Sequence, residues 1–400
     1  MSYSELLDRT DGAVSTPAGA STPDQSVGAK RRRNEGSLIR LSIVAPAFNE
    51  SANVPQLLAQ LDAALGDIAW ELVIVDDDSP DGTADVTRQL ARIDSRIRVI
   101  QRIGRRGLSS ACIEGMLASC APVIAVIDAD LQHDETRLPV MLAALENSGA
   151  DMALATRYSV GGSTGDWNQT RRGMSEFATR LAGLVLRQPV SDPMSGFFML
   201  RREVLDETVR GLSALGFKIF LDIVATSKRK LHIVEVPYTF KLRVAGESKL
   251  DSTAIWDFGM LLADKTIGRY VPVRFLSFAI VGGLGVFVHF LSLLIALNVF
   301  GLKFLVGQSV ATSMAMVFNF AVNNELTYRD QRLRGWGWLG GLATFVGACG
   351  IGAIANVGVA NYLFAGDTQW ALAALAGIAV GAVWNYAVTQ LYTWGRGRKR

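Results

Sequence analysis

The chain has 400 residues, of which 50% are hydrophobic and only 19% charged. A net charge of +3, with no helical stripe of Lys and Arg interleaved with aromatics, gives no basis for a nucleic-acid partner. Three scattered cysteines, Cys112, Cys120 and Cys349, make neither a disulfide framework nor a metal spacing, and fit small core residues in a reducing cytoplasm.

At roughly 150 residues per domain the length calls for more than one domain. Charge is dense up to Arg274 and sparse after it, which separates a soluble half from a membrane half. Residues Met1–Ser37 are rich in Ser, Thr, Gly, Ala and Pro without periodicity, and are expected to be a disordered tail. The tail carries Arg31, Arg32 and Arg33, either a solvated charge run or an attraction to anionic headgroups. No apolar run precedes Leu38, so no signal peptide is expected.

Apolar runs at Leu41–Ala45, Leu72–Val75, Ile97–Ile100, Val123–Ile127, Met152–Ala155 and Ile233–Val236 read as strands. Helical patterns at Asn53–Leu65, Leu108–Ala118, Asn168–Leu186 and Gly216–Val224 alternate with them. That alternation predicts an α/β, doubly wound, mostly parallel sheet. The polar clusters Asn49–Glu50, Asp76–Asp78 and Asp128–Asp130 each follow a strand, so in a parallel sheet they converge on one edge. Asp128 and Asp130, one residue apart, suit a hard divalent cation, Mg²⁺ or Mn²⁺, bound together with substrate phosphates. A lone Asp-x-Asp can equally be a solvated strand exit; the convergence favours the ligand site.

Asp251–Tyr270 places Ile255, Phe258, Leu261 or Leu262, and Ile267 at helical spacing, as an amphipathic helix at a membrane surface or a plain surface helix on the soluble domain. Four charge-free apolar runs follow, Phe275–Leu302, Phe304–Asn324, Trp336–Gly366 and Gln369–Trp394, each long enough to cross a bilayer. Arg329, Arg332 and Arg334 lie in the loop between the second and third, and Arg396, Arg398, Lys399 and Arg400 follow the fourth. The other side has only Lys303 and Asp367, so the catalytic half and the C-terminus are expected in the cytoplasm. The stretch Phe318–Tyr328 echoes Trp384–Trp394, matching Asn319 to Asn385, and Phe278–Gly282 more weakly echoes Ala343–Gly347. Two similar helix pairs about a pseudo-two-fold axis are expected.

Five motifs in order, PAFNE at Pro46–Glu50, VDDDSPDGT at Val75–Thr83, DADLQH at Asp128–His133, SDPMSGF at Ser191–Phe197 and RVAGESKL at Arg243–Leu250, resemble the dolichol-phosphate mannosyltransferases and related polyprenyl-phosphate glycosyltransferases of GT-A fold. The segment Arg274–Trp394, with NFAVNN at Asn319–Asn324, is similar to the GtrA-like four-helix membrane domain, although Asn324-Glu325 departs from the Arg common there. The implied division is a tail over 1–37, a catalytic domain over 38–250, an interfacial helix over 251–270 and a membrane domain over 271–400.

The resemblance implies roles for single residues. Pro46, Phe48, Glu50, Val75 and Asp77 would hold the nucleotide, with Phe48 standing where many relatives have Tyr. Asp128, Ala129 and Asp130 would meet the nucleotide sugar, and Asp128, Asp130 and Gln132 the metal. Arg157, Arg243 and Lys249, catalytic together with Asp130, would neutralise phosphates. Arg157, Arg171 and Ser175 would bind the lipid phosphate, and Ser195 and Gly196 would shape the sugar pocket. The expected reaction is metal-dependent, inverting transfer of a hexose, mannose from GDP-mannose, to a polyprenyl or dolichyl phosphate at a bilayer. The alternatives are UDP-glucose as donor, or a lipid-linked sugar flippase or scaffold with an inactive soluble half. A processive polysaccharide synthase is disfavoured, because no Gln-x-x-Arg-Trp occurs. Four short-looped helices make a small unit, so transport would need a homo-oligomer.

Overall fold

The computed structural model describes residues 38–159, 163, 169–241, 252–268, 270–366 and 369–395. The chain divides into two compact units, 1–265 and 266–400.

The first unit is built on seven strands: β1 (Leu41–Ala47), β2 (Trp70–Asp76), β3 (Ile97–Gln101), β4 (Val123–Val126), β5 (Met152–Thr156), β6 (Phe198–Arg201) and β7 (Ile233–Pro237). Their order across the sheet is β3-β2-β1-β4-β6-β5-β7. The strands β1 to β4 are mutually parallel, and β5 is parallel to β7. Only β6 is reversed, pairing antiparallel with both β4 and β5. This is the mostly parallel GT-A architecture expected from the strand–helix alternation, with one reversal that the alternation did not announce.

Helices cover both faces, as parallel strands require. Ile43, Ala45, Leu72 and Ile74 point to the face carrying α1 (Val54–Leu65) and α4 (Arg137–Ser148). Val44, Val73 and Val75 point to the other, against α3 (Leu108–Ala118), α6 (Arg202–Thr208) and α7 (Ile219–Thr226). The period-2 alternation within one apolar run is thus resolved into two cores. The helix α2 (Thr83–Ile93) packs beside β3. Gly115 of α3 lets the helix lie flat on the sheet: a Cβ there would sit 2.4 Å from Val44 Cγ1 and 2.8 Å from Val75 Cγ2. Cys112 is buried in this core, where burial pushes its thiol pKa well up.

The helix α5 spans Gln169–Ala182, and α8 spans Ser252–Ile267. Leu261 of α8 is buried in a cluster with Ala182, Met194 and Leu221. Lys265 of α8 and Asp222 of α7 form an ion pair of 2.5 Å with both side chains largely buried. Ile255 on α8 is exposed.

The second unit has α9 (Val273–Asn298), α10 (Phe304–Val322), α11 (Trp336–Ala365) and α12 (Trp370–Val388). Among the described residues three stretches are long and apolar enough to cross a membrane, Val273–Asn298, Phe304–Thr327 and Trp336–Ala365. Their outer faces leave Phe287, Leu291, Leu305 and Ile354 exposed, as lipid-facing residues should be. The helices pack as two hairpins, α9 with α10 and α11 with α12. Both hairpins end in a π-helical turn, Asn323–Thr327 and Thr389–Thr393.

The hairpins repeat in detail. Gly285 faces the Asn319 amide, and Gly352 faces the Asn385 amide. Ser277 meets Thr327 at 2.7 Å, and Thr344 meets Thr393 at 3.1 Å. Symmetry mates also touch each other: Tyr328 stacks on Trp394 with centroids 3.9 Å apart, and Phe278 meets Phe345 at 6.5 Å. These pairs match Phe278 to Phe345, not to Ala343, so the weaker sequence echo was two residues out of register. A helical repeat with many Gly and Ala has little to fix its phase in the sequence alone. Asn324, where the family resemblance breaks, accepts from Leu333 N at 2.9 Å and Trp394 Nε1 at 3.1 Å. Glu325 pairs with Arg332 at 2.6 Å.

Candidate active site

Six strands end on one edge of the sheet, and the reversed β6 begins there. That edge therefore collects Glu50 after β1, Asp77 after β2, Arg102 after β3, Asp128 and Asp130 after β4, Arg157 after β5, Ser195 and Gly196 before β6, and Tyr238 after β7. The three acidic clusters do converge, because β2, β1 and β4 are neighbours.

The loops at this edge are stitched together by short polar contacts. Asn49 N donates to Ser79 Oγ at 2.9 Å, Glu50 N to Thr83 Oγ1 at 3.0 Å, and Ser51 N to Asp81 Oδ2 at 3.0 Å. Asn53 Nδ2 holds Glu50 Oε2 at 2.5 Å. Burial is the largest single influence on Asp81 and works to raise its pKa, but the hydrogen bonds from Thr83 and Ser51 together hold it below the usual range. Phe48 lies under the Arg106 guanidinium, 4.4 Å from the ring centroid. The backbone is strained in the same place. Among the described residues four non-glycines have left-handed φ, and three of them, Asn49, Asp78 and Leu131, follow β1, β2 and β4. Leu131 is the most costly, since its bulky side chain gains nothing there, and strain of about 1–3 kcal/mol persists where surroundings impose it.

Asp77 is held by Arg102 Nη1 at 2.6 Å and by Gly107 N at 2.7 Å. Burial raises its pKa, against the opposing pull of Gly107 and Arg102. Arg102 is almost wholly buried and also reaches Ser110 Oγ at 2.6 Å and Gly107 O at 3.0 Å. Sequence reasoning passed over Arg102; applying the strand-end rule to β3 would have found it.

Asp128 and Asp130 flank Ala129 at the end of β4. Asp130 is buried and accepts from Gln132 N at 3.2 Å. Gln132 lies half-buried, its amide nitrogen donating to Lys241 O at 3.2 Å. Asp128 Oδ2 meets His133 Nε2 at 3.2 Å and also lies against Gly196, where a Cβ would come within 2.9 Å of it. Glycine is required there because the carboxylate fills the space. Among the described residues no group of three His, Cys, Asp or Glu gathers as a metal cage. Two carboxylates with the amide oxygen of Gln132 fit a hard cation that takes its remaining ligands from phosphates and water.

Arg157 forms a bidentate pair with Asp192, Nε to Oδ2 at 2.7 Å and Nη2 to Oδ1 at 2.8 Å. Its guanidinium also lies 5.6 Å from the Tyr158 and Phe240 ring centroids. Asp192, in the sequence only a member of the SDPMSGF motif, is fully buried, and a buried carboxylate demands a cation. The turn is tied to β5 by Thr156 Oγ1 to Ser191 Oγ at 2.6 Å and by Ser195 Oγ to Ala155 O at 2.9 Å. Pro46 and Val75 are register partners within β1 and β2 and so stand side by side below the site. Arg171 and Ser175 stand in the first half of α5; their side chains lie outside the described residues. Arg243 and Lys249 also lie outside them, as do Arg31–Arg33 and Arg396–Arg400.

Residues 42–209 match the model of glycosyl transferase family 2, and residues 277–394 that of the GtrA/DPMS transmembrane domain. A dolichol-phosphate mannosyltransferase of Pyrococcus furiosus is 32% identical over 358 residues, covering 89% of this chain and 99% of its own length. The enzyme of the same name from Mycosarcoma maydis is 35% identical, covering 63% of this chain and 90% of its own. A solved structure of glucosyl-3-phosphoglycerate synthase from Mycobacterium tuberculosis, in complex with Mn²⁺, UDP-glucose and glycerol 3-phosphate, covers 61% of this chain and 86% of its own at 19% identity and a TM-score of 0.40. With its family 2 catalytic unit, its GtrA/DPMS membrane unit and its full-length relatives, the chain belongs to the dolichol-phosphate mannosyltransferase family and is a membrane-bound glycosyltransferase.

Proposed function

We propose that this enzyme transfers mannose from GDP-mannose to a polyprenyl or dolichyl phosphate, with inversion, at the cytoplasmic face of the membrane and with Mg²⁺ or Mn²⁺. The carrying observation is the convergence of four carboxylates on one sheet edge. Glu50, Asp77, Asp128 and Asp130 stand over β2, β1 and β4, while Arg157 stands over β5. A donor half rich in carboxylates thus lies beside an acceptor half in which Arg157 is held in place by its pair with Asp192. The name shared by the relatives supports mannose.

In this reading Glu50 and Asp77 accept from ribose hydroxyls and base N–H groups, Pro46 and Val75 form the floor, and Phe48 offers a face to the base. Asp128, Asp130 and Gln132 hold the cation, which supplies charge neutralisation to the departing diphosphate. Arg157, Arg243 and Lys249 offset the repulsion between anionic donor and anionic acceptor. Arg171 and Ser175, in the first half of a helix, receive the lipid phosphate. That phosphate has a second pKa of about 6, so near neutral pH it already carries the nucleophilic oxygen. Its oxygen forms the bond to the anomeric carbon as the bond to the diphosphate breaks, and no proton has to be removed. His133 is buried between Asp128 and Tyr238, which suits an enzyme without a general base. The arginines that follow α10, with those that follow α12, favour a cytoplasmic site.

Purified enzyme with Mg²⁺ or Mn²⁺ and a polyprenyl phosphate should convert GDP-mannose to a mannosyl-phosphoryl lipid, read by mass spectrometry and abolished by EDTA. Product from UDP-glucose alone would overturn the donor. Product unaffected by EDTA would overturn the metal, and retained anomeric configuration the single displacement.

A further inference from the structure

The His133 ring is buried and walled by aromatics, with Phe197 at 5.2 Å and Tyr238 and Phe240 at 5.6 Å between centroids. Only its two nitrogens have polar partners here, Tyr238 Oη at 3.1 Å from Nδ1 and Asp128 Oδ2 at 3.2 Å from Nε2. An ionised carboxylate only accepts, so Nε2 carries the hydrogen that Asp128 receives. Tyr238 is buried, and burial pushes its pKa up, so its hydroxyl keeps a proton to offer Nδ1. A directed chain therefore runs from Tyr238 through His133 to Asp128. Gly196 lies against the same oxygen, Oδ2, where even a methyl group would come within 2.9 Å of it. Below the chain, Lys241 N donates to Gln132 O at 2.8 Å, so the segment after β7 grips the Asp128–Gln132 loop at a second point.

We propose that His133 and Tyr238 are positioning residues: they fix the plane of the Asp128 carboxylate against Gly196 and so set the enzyme's affinity for its divalent cation. The inference rests on Asp128 being a cation ligand. Ligating carboxylates held by hydrogen-bonding partners lose about 10–100-fold in metal affinity when those partners are removed. A histidine that merely filled an aromatic pocket would have no such effect, because Tyr238→Phe removes one hydroxyl and leaves every ring contact in place.

The test is Mn²⁺ binding to the full-length, detergent-solubilised protein, with free Mn²⁺ read by electron paramagnetic resonance. Four variants are compared with the unmodified chain: Asp128→Asn, His133→Leu, His133→Gln and Tyr238→Phe. Asp128→Asn should abolish tight binding. His133→Leu should weaken it by about 10–100-fold and Tyr238→Phe by about 10-fold. His133→Gln places an amide donor near the Nε2 position and should recover most of the loss. In transfer assays the His133→Leu defect should lie in the Mn²⁺ concentration needed, with kcat at saturating Mn²⁺ much less affected. Unchanged Mn²⁺ binding in Asp128→Asn would remove the cation site itself. Loss in Asp128→Asn with unchanged binding in both His133→Leu and Tyr238→Phe would leave that site standing and overturn the positioning chain.

Discussion

The Arg157–Asp192 pair makes the sharpest quantitative prediction. Its two side chains are 8% and 0% exposed and meet through two hydrogen bonds of 2.7 and 2.8 Å. At about 4 Å between charge centres and an effective dielectric of about 20, the attraction is about 4 kcal/mol. Desolvation of both ions opposes it, so the pair as a whole adds little to stability. Removing one partner is different, since it leaves a buried charge uncompensated at about 3–5 kcal/mol. Asp192→Asn keeps the shape and removes the charge. For a unit of about 150–250 residues each kcal/mol moves Tm by about 2–4 °C, so the catalytic unit should melt about 6–20 °C lower. Replacing both residues together, Arg157→Met with Asp192→Leu, should return most of that stability while transfer stays lost. Differential scanning calorimetry in detergent, run beside lipid-product formation, separates the two effects. A fall of less than about 2 °C in Asp192→Asn, or a double variant no more stable than the single one, would refute the buried-pair reasoning.

Other consequences are as open to measurement. Gly115→Ala drives a methyl group into Val44 and Val75 and should cost about 1–3 kcal/mol, with partial recovery when Val44 is also cut to Ala; calorimetric Tm values check both. Asp151 is held below the usual carboxylate range chiefly by hydrogen bonds from Arg229, with burial opposing. Its contribution is complete above the unfolded pKa of about 3.9 and is lost as pH falls through the lower folded value. Asp151→Asn should therefore melt lower at pH 6, and its deficit should close in a Tm–pH series as pH falls below the ordinary carboxylate range. In the membrane unit Gly285→Ala would place a methyl carbon 2.2 Å from Asn319 Oδ1. It should loosen the α9–α10 hairpin, seen as faster proteolysis in detergent, and Asn319→Ala in the same chain should restore resistance; no rescue would mean that the two residues are not in contact.

Much of the site was legible because strand ends are legible. A β-branched run followed by carboxylates announces both a buried strand and its exit, so the convergence of Glu50, Asp77, Asp128 and Asp130 needed only parallel neighbours. The reversal of β6 was not legible, because alternation carries no direction: Phe197–Leu200 is as apolar read either way. That reversal is what brings Gly196 against Asp128. The partners of buried charges were equally hidden. Arg102 and Asp192 sit in loops whose sequence says only that they are polar, and what binds Asp77 or Arg157 depends on contacts 25 and 35 residues away. His133 is legible only as the end of the DADLQH motif, because its partner Tyr238 lies 105 residues further on.

The stack of Tyr328 on Trp394 has a consequence for the order of assembly. Each hairpin is closed by neighbours in sequence through a short loop, so each can form alone and early. The stacked rings join residues that belong to different hairpins, and Trp394 follows the last helix. Phe320, Phe345 and Asn324 all converge on that same indole. The aromatic centre of the bundle is therefore absent until the fourth helix is in place, and Trp394 acts as the latch of a two-leaf structure whose leaves are made first. Fluorescence of Trp394 during synthesis into nanodiscs would time that closure.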